Sequence, residues 1–556
     1  MILAVAMMLL TAVFPAKAAD FMVDSIAYNI IGEHELEVTS RDVKYSGEVI
    51  IPATVVYGGS VYRVTRIGSS AFGSCSDLTY VEIPEGVTEI AENAFYYCGL
   101  ESIEFPNSLM SIGEYAFRGC KDISNFYIPR NVGDIAKNAF LYCTGVNDFM
   151  VSGSNPYYKS VGGVLYTRDM TMLVAYPSAA TATSFDIPET VTKLQDFAFH
   201  FNPYLIEVTI PESVTWVGGA AFRGCSAITS LDFPDGITHI GSSGFSECSN
   251  LTSVHLPASL DTIHNSMCGE LPKLAEITIP RNVRCIDNVA FRKSTGIKSI
   301  IFEEGSCLDS IGMSAFTYCS SLETFDMPNS VTKIGTQVFG DCSSLKTVHL
   351  SESLPIVRAS TFWQCESLIE SVIPSSVTYV GHNVYSHCSS LKTLKIGDRN
   401  DTPAVTEIDY GQTYDCYALE KIELGANVKT LSGHSFADIN SLKVFISWGL
   451  TPPESKNGYC PFRPEPNSLN ATLYVPKAAV ETYSTTQYWQ DFTNIVAIED
   501  VGDVNVDGFI NISDAIALIN HLSVDAPVNA PLADVNMDGY INISDAIELI
   551  NRLLNG

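Results

Sequence analysis

Basic residues are scarce in this chain of 556 residues: 32 Lys and Arg stand against 62 Asp and Glu, a formal charge of -30. That surplus repels phosphate backbones and anionic headgroups, which excludes nucleic acid as a partner and opposes adsorption to acidic lipid. Signatures of catalysis are missing as well. There is no His-Glu-x-x-His, no Gly-x-Ser-x-Gly and no phosphate-cradling glycine loop, and the ten His are scattered rather than clustered. No Cys-x-x-Cys pair occurs, so a zinc or redox site has no support. Beyond the first residues no stretch is long and apolar enough to span a bilayer, and no Cys follows the leading apolar run to take a lipid. These absences predict a chain that is not an enzyme and does not insert into a membrane.

What is present begins with residues 1–18, an apolar run from Ile2 to Val13 followed by Pro15 and Ala16-Lys17-Ala18, which reads as a cleaved signal peptide. The chain is therefore expected to be secreted, extracellular or associated with a cell surface. A phrase then recurs: an apolar pair in a strand, Pro, Ser-Val-Thr, Ile-Gly, Ala-Phe and Cys. One copy runs Val81, Ile83, Pro84, Val87, Ile90, Ala94, Phe95, Cys98, and another Val208, Ile210, Pro211, Val214, Val217, Ala221, Phe222, Cys225. The Phe position recurs at 72, 95, 117, 140, 199, 222, 245, 268, 291, 316, 339, 362, 385, 413 and 436, mostly in steps of 23, with Cys268, Tyr385 and Thr413 as substitutes. A fixed period of this length marks a repeat architecture. Within Tyr80-Val81-Glu82-Ile83 the period of two puts Val81 and Ile83 inside, and Pro84 ends the strand by removing a donor. One turn cannot bury its own apolar side, so about fifteen turns must stack into a β-rich solenoid.

Departures from the period suggest the remaining organisation. Residues 19–66 alternate without the phrase and read as an N-terminal β cap, residues 67–446 as the repeats, and residues 447–498, with Trp489 and Phe492, as a C-terminal cap. At about 144–185 one step lengthens to 59. There Gly163-Val164-Leu165-Tyr166 and Thr171-Met172-Leu173-Val174-Ala175-Tyr176 read as a hairpin insert. The phrase resembles the BspA-like leucine-rich repeat family over roughly residues 20–498. The resemblance implies a leucine-rich repeat fold on bacterial surfaces, and adhesion or partner binding. Eleven of the 15 Cys fall three residues after the Phe position, a pattern expected of a buried, inert ladder. Outward strand positions such as Tyr80/Glu82, Ser102/Glu104 and Asn125/Tyr127 form the natural ligand face, where aromatic residues are few. Its acids read as solvation rather than as a paired-carboxylate glycosidase site.

The final segment, 499–556, holds a second repeat at an offset of 31. Calcium takes six to eight oxygens, which a twelve-residue loop supplies from positions 1, 3, 5, 7, 9 and 12 with Gly at 6. Asp503, Asn505, Asp507, the Phe509 carbonyl, Asn511 and Asp514 fit the first loop. Asp534, Asn536, Asp538, the Tyr540 carbonyl, Asn542 and Asp545 fit the second, so two Ca2+ ions are expected. No helix is read before either loop. One is read after each, Ala515 to Leu522 and Ala546 to Leu554, with Ile516, Ile519, Leu522 and Ile547, Ile550, Leu553 on matching stripes. This duplicated loop and helix resembles a type I dockerin, a small all-α calcium-binding domain. The resemblance implies binding to a cohesin module, with partner contacts at Ile512, Ser513, Asn520 and His521 and, in the second copy, Ile543, Ser544, Asn551 and Arg552. The chain is thus expected to be a secreted, non-catalytic adhesion protein held by its dockerin on a cohesin-bearing scaffold or cell-surface protein. The alternative is an accessory glycan-binding component of a polysaccharide-degrading complex. The ligand on the solenoid, protein or glycan, stays open.

Overall fold

The computed structural model describes residues 19–397, 405–456, 458–464, 466, 470–500, 504, 510–524 and 528–555. It divides into two units, residues 1–250 and 251–556. Each repeat turn carries two short strands in parallel with those of its neighbours, so the strand hydrogen bonds run along the stack from turn to turn.

In the first unit the chain opens with the antiparallel strands Phe21–Val23, Ile26–Gly32 and Glu35–Thr39. Glu35–Thr39 then pairs in parallel with Ser60–Ile67, which pairs with Glu89–Ile90, and the ladder continues through Ser111–Ile112 to Asp134–Ile135. The companion ladder starts at Gly47–Ile50, parallel to Leu78–Glu82. Flanking residues without the Phe therefore already belong to the stack, and for the same reason the solenoid reaches about 18 turns, beyond the fifteen that the Phe position marks.

The repeat phrase has a physical reading at each place. Val81 and Ile83 are buried and Glu82 is exposed, as the alternation requires. Pro84 ends the strand and its carbonyl accepts the Val87 N–H at 3.3 Å, which opens the turn. The Gly of Ile-Gly is forced by close approach: a Cβ on Gly113 would lie 2.9 Å from the Ala91 carbonyl carbon. The Phe rings stack through the core, Phe72 to Phe95 at 5.0 Å and Phe95 to Phe117 at 5.2 Å, each ring buried. Each buried Phe contributes about 1.5–3 kcal/mol of apolar transfer. Loop backbone is paired too: Phe95 N–H donates to the Ala116 carbonyl of the next turn at 2.7 Å. To place the Phe, most turns use two residues in the left-handed region, such as Asn93 (φ 57°) and Tyr97 (φ 51°).

The Cys ladder is more specific than apolar filling. Cys98, Cys120, Cys143 and Cys225 are buried and each thiol donates to the Phe carbonyl of the preceding turn, at 2.7–3.0 Å. The insert consists of Tyr158–Val161, Val164–Thr167 and Met172–Ala175, paired antiparallel in series. Met172–Ala175 then rejoins the parallel ladder at Lys193–Leu194. Tyr176 takes the Phe place in this irregular turn, its ring 5.1 Å from Phe199 and its N–H on the Ala198 carbonyl at 2.6 Å.

The second unit repeats the plan. Thr262–Ile263, Cys285–Ile286, Ser310–Ile311 and Lys333–Ile334 form one ladder, and Glu370–Ile373 begins a six-stranded sheet that runs through Val444–Ser447 and Thr472–Val475 to Asn494–Ala497. The degenerate turns are compensated. Thr413 is buried and its hydroxyl donates to the Ala437 carbonyl at 2.7 Å, while the Tyr385 hydroxyl meets Ser371 at 2.9 Å on an inward strand position. Ser294, in the Cys column, donates its hydroxyl to the Cys268 carbonyl as a thiol does elsewhere. At the C-terminal end Phe462 stacks on Phe436 at 6.3 Å, and buried Trp489 covers Phe462 at 5.1 Å while its indole N–H donates to the Pro453 carbonyl at 3.1 Å. Helix α1 (Val480–Thr485) supplies Tyr483 beneath that Trp.

Candidate functional site

Three helices complete the second unit: α2 (Ile512–Val524), α3 (Ala530–Ala533) and α4 (Ile543–Asn555). The short α3 ahead of the second loop is an element that the sequence pattern did not indicate. The long helices begin at Ile512 and Ile543, earlier than their apolar pattern, because the residue before each is a built cap. Asn542 Oδ1 accepts the Ser544 N–H at 2.8 Å, while Asp545 reaches back to accept the Asn542 N–H at 2.8 Å. Asn511 and Asp514 do the same in the first copy, at 2.8 and 2.9 Å. This reciprocal pairing is a capping box, and it makes loop positions 9 and 12 serve helix and loop together.

The structure brings the six residues named for the second loop, 534 to 545, into one turn. Asp534 accepts the N–H groups of Asp538 and Gly539, both at 2.9 Å. Asp538 accepts from Tyr540 N–H at 2.9 Å, and Asp545 from Asn536 N–H at 3.1 Å. Gly539 sits at φ 89°, the conformation that position 6 demands. Asp514, Asp534 and Asp545 are all buried. Burial pushes the Asp534 carboxyl up to about 6, against the backbone N–H groups of Gly539 and Asp538, and the charges of Asp545 and Asp538 add to the rise. Carboxylates buried beside one another need a compensating cation, and a set made only of oxygens suits a hard one. Among the described residues no three His, Cys, Asp or Glu side chains form a closed metal-holding group; the second loop instead folds its carboxylates onto its own N–H groups. In the first loop, Asn511 and Asp514 are described, while Asp503, Asn505, Asp507 and Phe509 lie outside the described residues.

The helices pack through Ala515 and Leu518 against Ala546 and Leu549, with Val504, Ala533 and Val535 closing the core. The apolar stripes read from the sequence divide differently. Ile550 and Leu553 flank this core, but Ile516, Ile519, Leu522 and Ile547 are exposed. With Ile512 (66% exposed) the first three give α2 an outward apolar strip at spacings of three and four residues, and with Ile543 (64%) Ile547 makes a shorter one on α4. Ser513, Asn520, Ser544, Asn551 and Arg552 are exposed beside these strips and His521 is half-buried. Arg552 is anchored, donating to the Val535 carbonyl at 2.7 Å.

The second loop also rests on the neighbouring turns. The Tyr540 hydroxyl lies 2.9 Å from both Glu420 carboxylate oxygens, and Lys443 Nζ sits 3.6 Å from the Tyr540 ring centre and 3.1 Å from Glu420. Met537 packs against Val444, Ile446 and Tyr474, and the Tyr474 hydroxyl donates to the Pro531 carbonyl at 2.9 Å. Spacing alone gave Tyr540 only its carbonyl role; nothing in the repeat pattern signals this contact. Among the described residues no helix is long and apolar enough to cross a membrane.

A stack of short parallel strands with an aromatic ladder, followed by a duplicated oxygen-rich loop and helix, defines a leucine-rich repeat solenoid with a terminal loop-helix module. The chain belongs to the BspA-type leucine-rich repeat family, whose model matches residues 61–160, 175–298 and 309–443 in six copies, well over half the chain. Residues 501–554 match the dockerin type I domain. Similar solved structures include a leucine-rich repeat protein from Bacteroides ovatus, 25% identical over 82% of this chain and 99% of that one with a TM-score of 0.46. Another is a leucine-rich repeat protein from Eubacterium ventriosum, 22% identical over 66% and 94% with a TM-score of 0.41. A third is a leucine rich cell surface protein from Faecalibacterium prausnitzii, 21% identical over 73% and 94% with a TM-score of 0.35. No curated protein matches this chain. A type I dockerin implies attachment through a cohesin and generally binds calcium, leucine-rich repeat solenoids are generally binding proteins, and BspA-like and dockerin proteins are typically extracellular or surface-associated.

Proposed function

We propose that this chain is an exported, non-catalytic binding protein that its dockerin fastens, in a calcium-dependent way, to a cohesin-bearing scaffold or cell-surface protein, leaving the solenoid to hold a ligand. The observation that carries the reading is the pairing of buried carboxylates with outward apolar helix strips. Asp514, Asp534 and Asp545 are buried at the feet of α2 and α4, while Ile512, Ile516, Ile519 and Ile543, Ile547 face solvent. One calcium ion per loop neutralises the acids when bound. The chain's own residues do the rest: the Asn-to-Asp capping boxes fix where each helix starts, and the helix start fixes where Ile512-Ser513 and Ile543-Ser544 stand. The exposed strips supply apolar contact at the centre of an interface, and Asn520, His521, Asn551 and Arg552 supply its polar rim. Both copies present the Ile-Ser pair and the next exposed Ile, Ile516 or Ile547, so two related docking faces are expected, with that of α2 extended by Ile519 and Leu522.

The test uses the full chain. Capture on immobilised cohesin modules is measured with calcium, with excess chelator, and for Asp507→Ala combined with Asp538→Ala. Capture that needs calcium and fails in the double variant supports the reading. Capture that ignores the chelator, or that survives in the variant, would falsify the calcium dependence, and absence of capture by every cohesin of the source organism sinks the docking role.

A further inference from the structure

We propose that the last turns of the solenoid support the second calcium loop from outside, so that calcium binding at residues 534–545 and the seating of the docking module on the solenoid strengthen one another. This rests on the calcium reading above and adds to it residues that the docking module does not contain. Over their twelve positions the loops 503–514 and 534–545 are identical except at two: position 4, Val506 against Met537, and position 7, Phe509 against Tyr540. Both substituted side chains of the second loop reach the solenoid. Met537 packs on Val444, Ile446 and Tyr474, and the Tyr540 hydroxyl lies 2.9 Å from both carboxylate oxygens of Glu420.

The seat is built for them. Along most of the stack the outward strand positions are polar, as at Ser230/Asp232, Thr324/Asp326 and Thr347/His349. In the final strands the same column turns apolar: Val444 and Ile446 follow Lys421 and Glu423, then Tyr474 and Val496 take the place of Ile446 in the next two strands. Val444, Ile446 and Tyr474 are buried, with Met537 and Val496 packed against them. The contact extends to the loop backbone, since a Cβ on Gly539, at loop position 6, would lie 3.0 Å from Lys443 Cβ. Lys443 also stands over the Tyr540 ring at 3.6 Å, and the Tyr474 hydroxyl donates to the Pro531 carbonyl ahead of the loop at 2.9 Å. Positions 4, 6 and 7 of the loop therefore all rest on the solenoid.

Position 7 of such a loop offers the ion its main-chain carbonyl. Holding Tyr540 and its neighbours in place restricts the loop before the ion arrives, so less freedom is lost on binding and the affinity rises. Linkage makes the effect mutual: the factor by which seating favours calcium is the factor by which calcium favours seating. The first loop lacks the means, because Phe509 has no hydroxyl to hold a carboxylate and Val506 is shorter than Met537. The second loop is thus the tighter of the two, and Glu420 and Lys443 are positioning residues for an ion that they do not touch.

The test is calcium titration of the full chain against a fluorescent chelator, which counts the ions and gives their affinities. Two variants attack the seat from opposite sides. Met537→Val with Tyr540→Phe gives the second loop the residues of the first and keeps every ligand position, while Glu420→Ala with Lys443→Ala leaves the docking module untouched. Glu323→Ala with Lys346→Ala removes a 2.8 Å ion pair from the same column of an earlier turn and is the control. The parent is expected to bind two ions unequally, the tighter one weakened roughly 3-fold or more in both seat variants and unchanged in the control. Hydrogen exchange with excess chelator is expected to quicken at residues 529–545 in both seat variants. Two ions of equal affinity in the parent, seat variants that bind calcium as the parent does, or the same weakening in the control overturns the coupling and leaves the calcium reading in place. A chain that takes up no calcium refutes both.

Discussion

Replacing Cys342 by alanine tests whether the cysteine column is there for its hydrogen bond or only for its size. Cys342 is buried, and its thiol donates to the Phe316 carbonyl of the preceding turn at 3.2 Å, a carbonyl that also accepts the Cys319 N–H at 3.0 Å. Alanine removes the thiol bond, at a cost of about 0.5–1.5 kcal/mol, and leaves a void of roughly methyl size, about 1 kcal/mol more. The expected loss is therefore about 2 kcal/mol. Serine restores a donor in nearly the same volume, and the chain already uses it so at Ser294, so Cys342→Ser is expected to recover most of the bond energy. Thermal and denaturant unfolding under reducing conditions measures the total. Because a solenoid couples each turn chiefly to its neighbours, hydrogen exchange at Phe316, Phe339 and Phe362 locates the defect. A serine variant no better than alanine, or an alanine variant as stable as the parent, would refute the hydrogen-bond account.

Two further predictions follow from groups outside that column. His200 accepts from Tyr142 N–H and its Nδ1 meets the Phe197 carbonyl at 2.7 Å, and burial, with Arg223 adding to it, lowers its pKa to about 4. The unfolded chain binds that proton from pH ~6.5 downward and the folded chain only near 4, so the contribution is complete above 6.5 and is lost as pH falls through this window, by about 3 kcal/mol. Stability curves of parent and His200→Gln between pH 7 and 4 should diverge there by that amount, and parallel curves contradict the assignment. At the other end, Tyr540→Phe keeps the ring over Lys443 but removes the hydroxyl from Glu420, where Tyr540 and Lys443 hold the carboxylate below its usual range against partial burial. The contact is half exposed, so about 0.5–1 kcal/mol is expected, read as faster exchange at residues 534–545, and unchanged exchange contradicts a role for the hydroxyl.

The architecture was legible because each place in the phrase answers to one physical demand repeated along the stack: alternation at Val81 and Ile83, a strand stop at Pro84, close backbone approach at the Gly after Ile. The duplicated oxygen-rich loop stood out for a related reason, since its Asp, Asn and Gly recur at set spacings in both copies. Less visible were features made by neighbours rather than by position. Tyr176 continues the aromatic ladder, but the short turn before it breaks the count. The outward facing of Ile516 and Ile547 was hidden because small Ala515 and Ala546 let the helices approach along another face.

The thiol column has a consequence for the life history of the chain. Burial pushes the thiols of Cys120, Cys225, Cys319 and Cys416 up to about 12, so at neutral pH only about one in 10⁵ of each is the thiolate that oxidants and disulfides attack. Once folded, these four thiols are poorly reactive and none is crosslinked, whereas the pKa of Cys75, at the start of the column, is lowered by its hydrogen bond with Cys98. Before folding, the same sulfurs are ordinary, exposed and numerous, so in any oxidising medium folding is a race between stacking and oxidation, and the yield of folded protein depends on how quickly neighbouring turns close over one another.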